Sequence, residues 1–442
     1  MDNTSKNNKF YNINEIEEKN NFNDTNNNNN NKKKFKIDIS KININKDLVK
    51  TIAVLSSTDI SSRKGNIKSF ITSLCYTINT CKKIDKKSPE FPLILFDQEV
   101  NNKNKLDEIL NSFLYMSYRT GFINLKVVGC HNYTSDCGWG CMVRCSQMIL
   151  SKALIEKKIF DKSQENGNID FNIKKKIKRD VLSLFNDNYL SIEEVRNLPD
   201  YNYFWMLYDE IVKEDSQYKS IKRIIPPYSI HILCKLGNCS GEFTSDLNMI
   251  NTISKINEDI FNDIKIINFC VGTIITKRLF REFCEKYNVS NNQNNSNLIN
   301  YNGVKYSFKK GGIIFISLRL GYDFLNPEYY DVIPLLFTKF RNNFGIIGGI
   351  KKRAYYFIGM QGKNRLIFAD PHLTQETKDN CEKYYETYNV PNIYSLDIKE
   401  MRCQFSFAIG VFSIKQLENF LDDAKWFSQN HKDIISIDDK TQ

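Results

Sequence analysis

The chain has 442 residues, 41% of them hydrophobic, with 62 Lys and Arg against 51 Asp and Glu, a formal charge of +11. That length supports one large globular core, and no apolar run reaches the length of a membrane span, since even residues 311–321 are short and carry Arg319. The basic residues are dispersed, apart from Lys32, Lys33, Lys34 and Lys36 in a polar tail, so the excess charge reads as solvation and not as a nucleic-acid surface.

Residues 1–47 are dominated by Asn and Lys, with an unbroken Asn run at 26–31. Such composition cannot bury enough apolar surface to offset the entropy of ordering, so this segment is expected to be disordered. It has no basic start followed by an apolar stretch, which argues against a secretory signal and points to a cytoplasmic chain. The twelve cysteines are then read against a reducing compartment. They lack paired CxxC spacing and come with only four histidines, so neither a disulfide framework nor a zinc site is expected. No metal or other cofactor is implied.

Globular composition begins near residue 48. The run Ile52-Ala53-Val54-Leu55 fits a strand or a helix start, and its length does not decide. Residues 92–96 read as a short strand, and residues 105–118 carry the apolar spacing of a helix through Leu106, Ile109, Leu110, Phe113 and Leu114. Residues 163–199 read as an insertion or peripheral lobe around a helix at 173–185. Pro226 and Pro227 open a helical stretch ending at Gly237. A second Asn-rich segment, 290–302 within a wider insertion at 286–311, reads as a surface loop.

The C-terminal third alternates differently. Strands are expected at 313–318, at 344–347 and at 404–412, and a hairpin at 354–360 and 365–369 turns over Gln361-Gly362-Lys363-Asn364. Ser413 and Gln416 make a capping box for a helix carrying Leu417, Phe420, Leu421 and Ala424. Residues 429–442 are expected to be a flexible tail. Helices mixed with strands in this order indicate an α/β or α+β domain over 48–428.

Two stretches carry chemistry. In Thr134-Ser135-Asp136-Cys137-Gly138-Trp139-Gly140-Cys141, glycines flank a tryptophan and a helical pattern begins directly behind the cysteine. Gly138 and Gly140 permit a tight path past Trp139, which puts Cys141 in a first helical turn, where unpaired amides and the helix dipole favour a thiolate. Cys141 is therefore the candidate nucleophile, with a buried structural cysteine as the plain alternative. Cys145, four residues on, shares its helical face, a spacing that permits redox inactivation.

A cysteine nucleophile needs a base, and the histidines are His131, His231, His372 and His431. His431 lies in the tail, His231 within an apolar helix and His131 in a loop without an orienting acid. His372 follows Asp370-Pro371. Proline keeps that segment extended, so residues two apart point the same way and the Asp370 carboxylate falls beside the His372 ring. An Asp so placed holds the tautomer and leaves Nε2 for the sulfur.

The stretch Thr134-Ser135-Asp136-x-Gly138-Trp139-Gly140-Cys141-Met142-x-Arg144 resembles the active-site segment of the autophagins, the papain-like cysteine proteases of autophagy. Further blocks agree in order: Tyr118-Arg119, Tyr228-Ser229-Ile230-His231, Leu318-Arg319-Leu320-Gly321, Gly345-Ile346-Ile347-Gly348-Gly349, Tyr356-Phe357-Ile358-Gly359 and Asp370-Pro371-His372-x-Thr374-Gln375. The resemblance covers about residues 90–425. It implies a papain-like fold, a triad of Cys141, His372 and Asp370, and Tyr118 beside the oxyanion site. It also implies cleavage after the C-terminal glycine of a small ubiquitin-like modifier, with later release of that modifier from phosphatidylethanolamine. The partners implied are the modifier precursor and its lipid conjugate, with membranes met only through the conjugate. Trp139 would line a narrow slot for the glycine. Phe243 stands where the family has a groove-covering tryptophan, Tyr355 where a histidine is common, and Cys137 at a variable position.

Overall fold

Why the molecule has two cores is visible in the alternation of its strands. A computed structural model describes residues 87–188, 190–191, 223–258, 264–287, 298–377 and 385–439, all within one compact unit spanning residues 45–442. The readings of 1–47, of 52–55 and of most of 189–222 and 288–297 lie outside these residues. A mixed sheet of nine strands organises the rest. Its strands are β1 (Leu93–Leu95), β2 (Gln98–Val100), β3 (Lys265–Cys270), β4 (Gly312–Phe324), β5 (Asn343–Ile350), β6 (Arg353–Gln361), β7 (Arg365–Ala369), β8 (Tyr394–Asp397) and β9 (Arg402–Val411).

The order across the sheet is β8-β7-β6-β5-β9-β4-β3, with β1 pairing β6 and β2 pairing β1. Only the β3 and β4 pair is parallel. The hairpin expected at 354–360 and 365–369 is β6 and β7, pairing Tyr356 with Ala369 and Gln361 with Arg365 across a one-residue bulge between Phe357 and Gly359. Along β6, Ala354, Tyr356 and Ile358 face one core while Tyr355 and Phe357 face the other, the period-2 alternation of a sheet covered on both sides. The same split recurs on β4, where Ile313 and Phe315 oppose Ile314 and Ile316.

Eight α-helices are present among the described residues. In chain order they are α1 (Lys103–Leu110), α2 (Cys141–Asn166), α3 (Phe171–Ser183), α4 (Ile230–Gly237), α5 (Asp246–Ile256), α6 (Thr276–Phe283), α7 (Ile333–Lys339) and α8 (Ile414–Asn430). The first core holds α2 with α3, α4 and α5, and the second holds α6, α7 and α8. Helix α8 is capped by Ser413, with Gln416 N donating to Ser413 Oγ at 3.2 Å, while Gln416 Oε1 reaches one residue further back than a capping box requires and accepts the Phe412 N–H at 2.6 Å.

Three expectations need correction. The helix expected over 105–118 ends at Leu110. Beyond it, residues 113–120 are buried throughout and run extended between α2 and the segment after β7, with Leu114 N donating to Ser151 Oγ and Tyr118 N to the Pro371 carbonyl. A segment buried on every side shows no amphipathic period, which is why its apolar residues mimicked a helix. The described part of 163–199 is not peripheral, because Ile177, Val181, Leu182 and Phe185 belong to the first core. Nor are the described residues after α8 a loose tail, since Ser436–Asp438 pairs in parallel with Thr273–Ile275 over a buried Ile434 and Ile435.

Candidate active site

Cys141 is the first residue of α2, and Gly140 is its N-cap. Gly138 has φ +90°, the left-handed backbone that favours glycine. Gly140 is required for a different reason. A Cβ there would lie 2.5 Å from Asp136 Oδ2, so only a residue without a side chain lets the chain pass over this carboxylate.

Asp136 is the anchor of the turn. Its Oδ1 accepts the Arg119 N–H at 2.6 Å, its Oδ2 accepts Arg144 Nε at 2.7 Å, and its carbonyl takes the Gly140 N–H at 2.9 Å. Arg144, one turn into α2, also donates from Nη1 to Asp187 Oδ2 at 2.7 Å and to Gln147 Oε1 at 3.0 Å. Asp187 Oδ1 in turn accepts the Ile230 N–H at the start of α4. All three ionic groups are buried, so the guanidinium is compensated from two sides and its pKa is held above its usual value by those carboxylates. Burial pushes the Asp136 carboxyl up, against Arg144 and the Arg119 amide. Asp187 has no signal in the sequence that marks it as part of this anchor; its neighbours are Asn186 and Asn188.

The histidine side is assembled across the sheet. Asp370 follows β7, and its Oδ1 lies 2.5 Å from His372 Nδ1 while also accepting the His372 backbone N–H at 3.1 Å. The extended geometry expected for Asp-Pro-His therefore brings carboxylate and ring together. Tyr115 donates from its hydroxyl to the Asp370 carbonyl at 2.6 Å. Gln375 N donates to the Tyr118 carbonyl, and Gln375–Glu376 pairs in parallel with Arg119–Thr120. On its other side the 118–121 segment meets the cysteine turn, with Asp136 N donating to the Arg119 carbonyl and Gly121 N to that of Thr134. One short extended segment thus carries histidine on one flank and cysteine on the other.

Tyr118 sits at the junction. Its ring meets His372 edge to face at 5.3 Å, and its hydroxyl acts on the Cys141 thiol to favour the ionised form. The sulfur also accepts the Ala354 N–H of β6 at 3.4 Å. The expected lowering of the thiol pKa by the helix start is outweighed here. With Cys141 only 2% exposed, burial pushes its pKa up, opposed by the Ala354 N–H, the Tyr118 hydroxyl, the Met142 N–H and the Arg353 charge. Cys145 is wholly buried, with its thiol pushed well above the usual value by burial, so it stays protonated and is a poor partner for oxidation.

The remaining expected residues separate. Phe243 is 52% exposed and lines a cleft of about 520 Å³ that opens at Cys141 and Met142 and is bounded by Gly348, Gly349, Arg353 and Ala354. Trp139 is not on that cleft. It is 6% exposed, packs on Tyr133 at 5.6 Å and donates from Nε1 to the Ser135 carbonyl at 3.1 Å, so it braces the cysteine turn from behind. His231 is a core histidine, its Nε2 bonded to the Ile123 carbonyl at 2.6 Å. His131 is exposed, and His431 caps the end of α8.

Against known proteins, residues 103–425 match the peptidase C54 catalytic domain. The chain is 25% identical over 353 residues to cysteine protease ATG4A of Gallus gallus, covering 76% of this chain and 80% of that one. It is 26% identical over 361 residues to cysteine protease ATG4A of Homo sapiens, covering 75% and 76%. Against cysteine protease ATG4C of Xenopus laevis it is 25% identical over 333 residues, covering 69% and 67%. A cysteine at a helix start, an aspartate against a histidine ring and a tyrosine packed on that ring lie inside the matched region, on the α+β architecture of a papain-like fold. The chain belongs to the peptidase C54 family and is a cysteine protease of the autophagy pathway.

Proposed function

We propose that the protein cleaves the peptide bond after the C-terminal glycine of an autophagy ubiquitin-like modifier and later hydrolyses the amide that joins that glycine to phosphatidylethanolamine. The observation that supports this most directly is that residues 118–121 hydrogen-bond both to the turn before Cys141 and to the segment that carries His372, with Asp370 Oδ1 2.5 Å from His372 Nδ1. In this reading Cys141 is the nucleophile, His372 the base and Asp370 its orienter.

The His372 ring takes the thiol proton at Nε2, and Asp370 stabilises the imidazolium through Nδ1–H. The thiolate attacks the glycine carbonyl, the tetrahedral oxyanion is stabilised by a backbone N–H at the start of α2, and Nε2 protonates the departing amine. Water, activated by the same imidazole, then hydrolyses the thioester. The amine leaving group is a peptide in the first reaction and the lipid headgroup nitrogen in the second, so one site performs both. Phe243, on the open wall of the cleft, would contact the modifier's extended tail in this reading. The protein would act in the cytoplasm and meet membranes through the lipid conjugate.

Incubation with a tagged modifier precursor tests the first reaction, and conjugate-bearing phosphatidylethanolamine vesicles test the second. Wild type is expected to release product from both, and Cys141→Ala and His372→Ala from neither. An uncut precursor with wild type, or equal cleavage by Cys141→Ala, rejects the assignment.

A further inference from the structure

Arg353 is the first residue of β6 and only 4% exposed, an unusual place for a guanidinium. It lies on the cleft wall with Cys141, and the next residue, Ala354, donates its N–H to the Cys141 sulfur. Two residues along the strand, and so on the same face, Tyr355 is fully buried. Arg353 Nη1 donates to the Tyr355 hydroxyl at 3.2 Å, and the Tyr355 ring packs on His372 at 5.0 Å and on Phe368 at 4.7 Å. One strand thus touches both reacting groups, the sulfur through Ala354 and the imidazole through Tyr355.

We propose that Arg353 is a positioning residue of this site, its buried guanidinium holding Tyr355 against the His372 ring while supplying a fixed cation beside Cys141. The inference rests on Cys141 and His372 being the reacting pair. The thiolate is an anion that appears at this spot during the reaction, so the guanidinium favours the ionised sulfur that burial otherwise disfavours. Tyr355 adds the geometric part. Its ring meets the imidazole at 5.0 Å, tilted by 56°, while Tyr118 meets it edge to face at 5.3 Å, so two aromatic rings bear on the base.

Other charges near the sulfur do not duplicate this role. On its own helix Cys145 interacts with it and Arg144 is paired with Asp136 and Asp187, and Tyr118 acts on it from the extended segment, with Asp370 and His372 beyond. On the cleft side, Asp246 is bonded to Ser406 and Gln404, Arg402 is paired with Asp323, and Lys351 with Glu400. Lys352 and Arg319 also line the cleft, and Arg319 donates to the Tyr322 carbonyl. Of these cleft charges, Arg353 is the one that acts on the sulfur to favour the thiolate.

The experiment is the pH dependence of iodoacetamide labelling of the Cys141 peptide, read by mass spectrometry in the full chain, alongside kcat and KM on the modifier precursor. Arg353→Met is expected to move the labelling midpoint up by about one pH unit, an order of tenfold in thiolate at neutral pH. Its kcat should fall by a similar factor with KM little changed, and Arg353→Lys should restore most of the midpoint shift. Tyr355→Phe should lower kcat and leave the midpoint in place. Should the Met variant fail to fold, Arg353→Gln, which keeps a donor for Tyr355 without the charge, makes the same comparison with Lys. A wild-type labelling profile in Arg353→Met or Arg353→Gln, or a Lys variant as impaired as the uncharged one, overturns the inference. Undiminished cleavage by Cys141→Ala would instead overturn the functional reading beneath it.

Discussion

The space that a side chain at position 140 would fill is occupied by Asp136. A Cβ on Gly140 would stand 2.5 Å from Oδ2 and 2.6 Å from the Asp136 Cβ, and that carboxylate is bonded to Arg119 and Arg144. The residue before Cys141 and the carboxylate that anchors the turn therefore exclude one another's side chains. Gly140→Ala should push Asp136 off Arg144 and lose about 3 kcal/mol, the scale for disturbing a buried ion pair. Urea unfolding curves check the stability, and precursor cleavage should fall with it because the start of α2 moves.

Asp370→Asn keeps the shape of the side chain and removes its charge. Activity is expected to drop by roughly 10³ or more, as in other triads whose aspartate is replaced by the amide, because the imidazole loses its orienting acceptor. Folding should be little affected, so thermal melts of the variant and wild type would nearly coincide. A variant with near wild-type kcat would show that the 2.5 Å contact to His372 is not used in catalysis.

Phe243 offers a test of the cleft wall that leaves the core alone. Its side chain is half exposed, so Phe243→Ala should change stability by less than about 0.5 kcal/mol. Expected instead is a rise in KM of several-fold with kcat nearly unchanged, the signature of binding shared by ground and transition states. Initial-rate kinetics on the modifier precursor decide this.

Lys178 gives the fold a pH dependence. It is 3% exposed in α3, donates from Nζ to Asn389 Oδ1 at 3.1 Å, and burial lowers its pKa from 10.5 to about 8. A lowered lysine pKa means the unfolded chain binds more protons between about pH 8 and 10.5, so stability from this group rises with pH across that window. Below pH 8 the buried charge costs up to about 3 kcal/mol. Lys178→Met should therefore be more stable than wild type at pH 7, with the difference shrinking by pH 10. Paired urea melts at those two pH values, in which a constant difference would refute the argument, provide the check.

Much of this could be read before any fold was known. Proline fixes the extended path of Asp370-Pro371-His372, Ser413 caps α8, and apolar runs bounded by turn residues mark β4 to β7, all properties of near neighbours in the chain. The cysteine turn was legible for the same reason. What failed was reading segments whose surroundings are supplied from afar. Residues 113–120 imitate a helix because every side is buried, and Asp187 looks like a surface residue until Arg144 is placed against it.

By itself, then, the sequence determined which groups have the chemistry: a thiol at a helix start, and an imidazole with its own carboxylate two residues away. Only the tertiary structure decided that the two segments carrying them are brought against one strand. That arrangement depends on the strand hydrogen-bonding to both segments at once, and on a buried ionic anchor between α2 and the chain before α4. The thiol's acidity was likewise decided in three dimensions, because desolvation depends on everything packed around the sulfur, whereas a helix dipole depends only on the residues next to it in the chain.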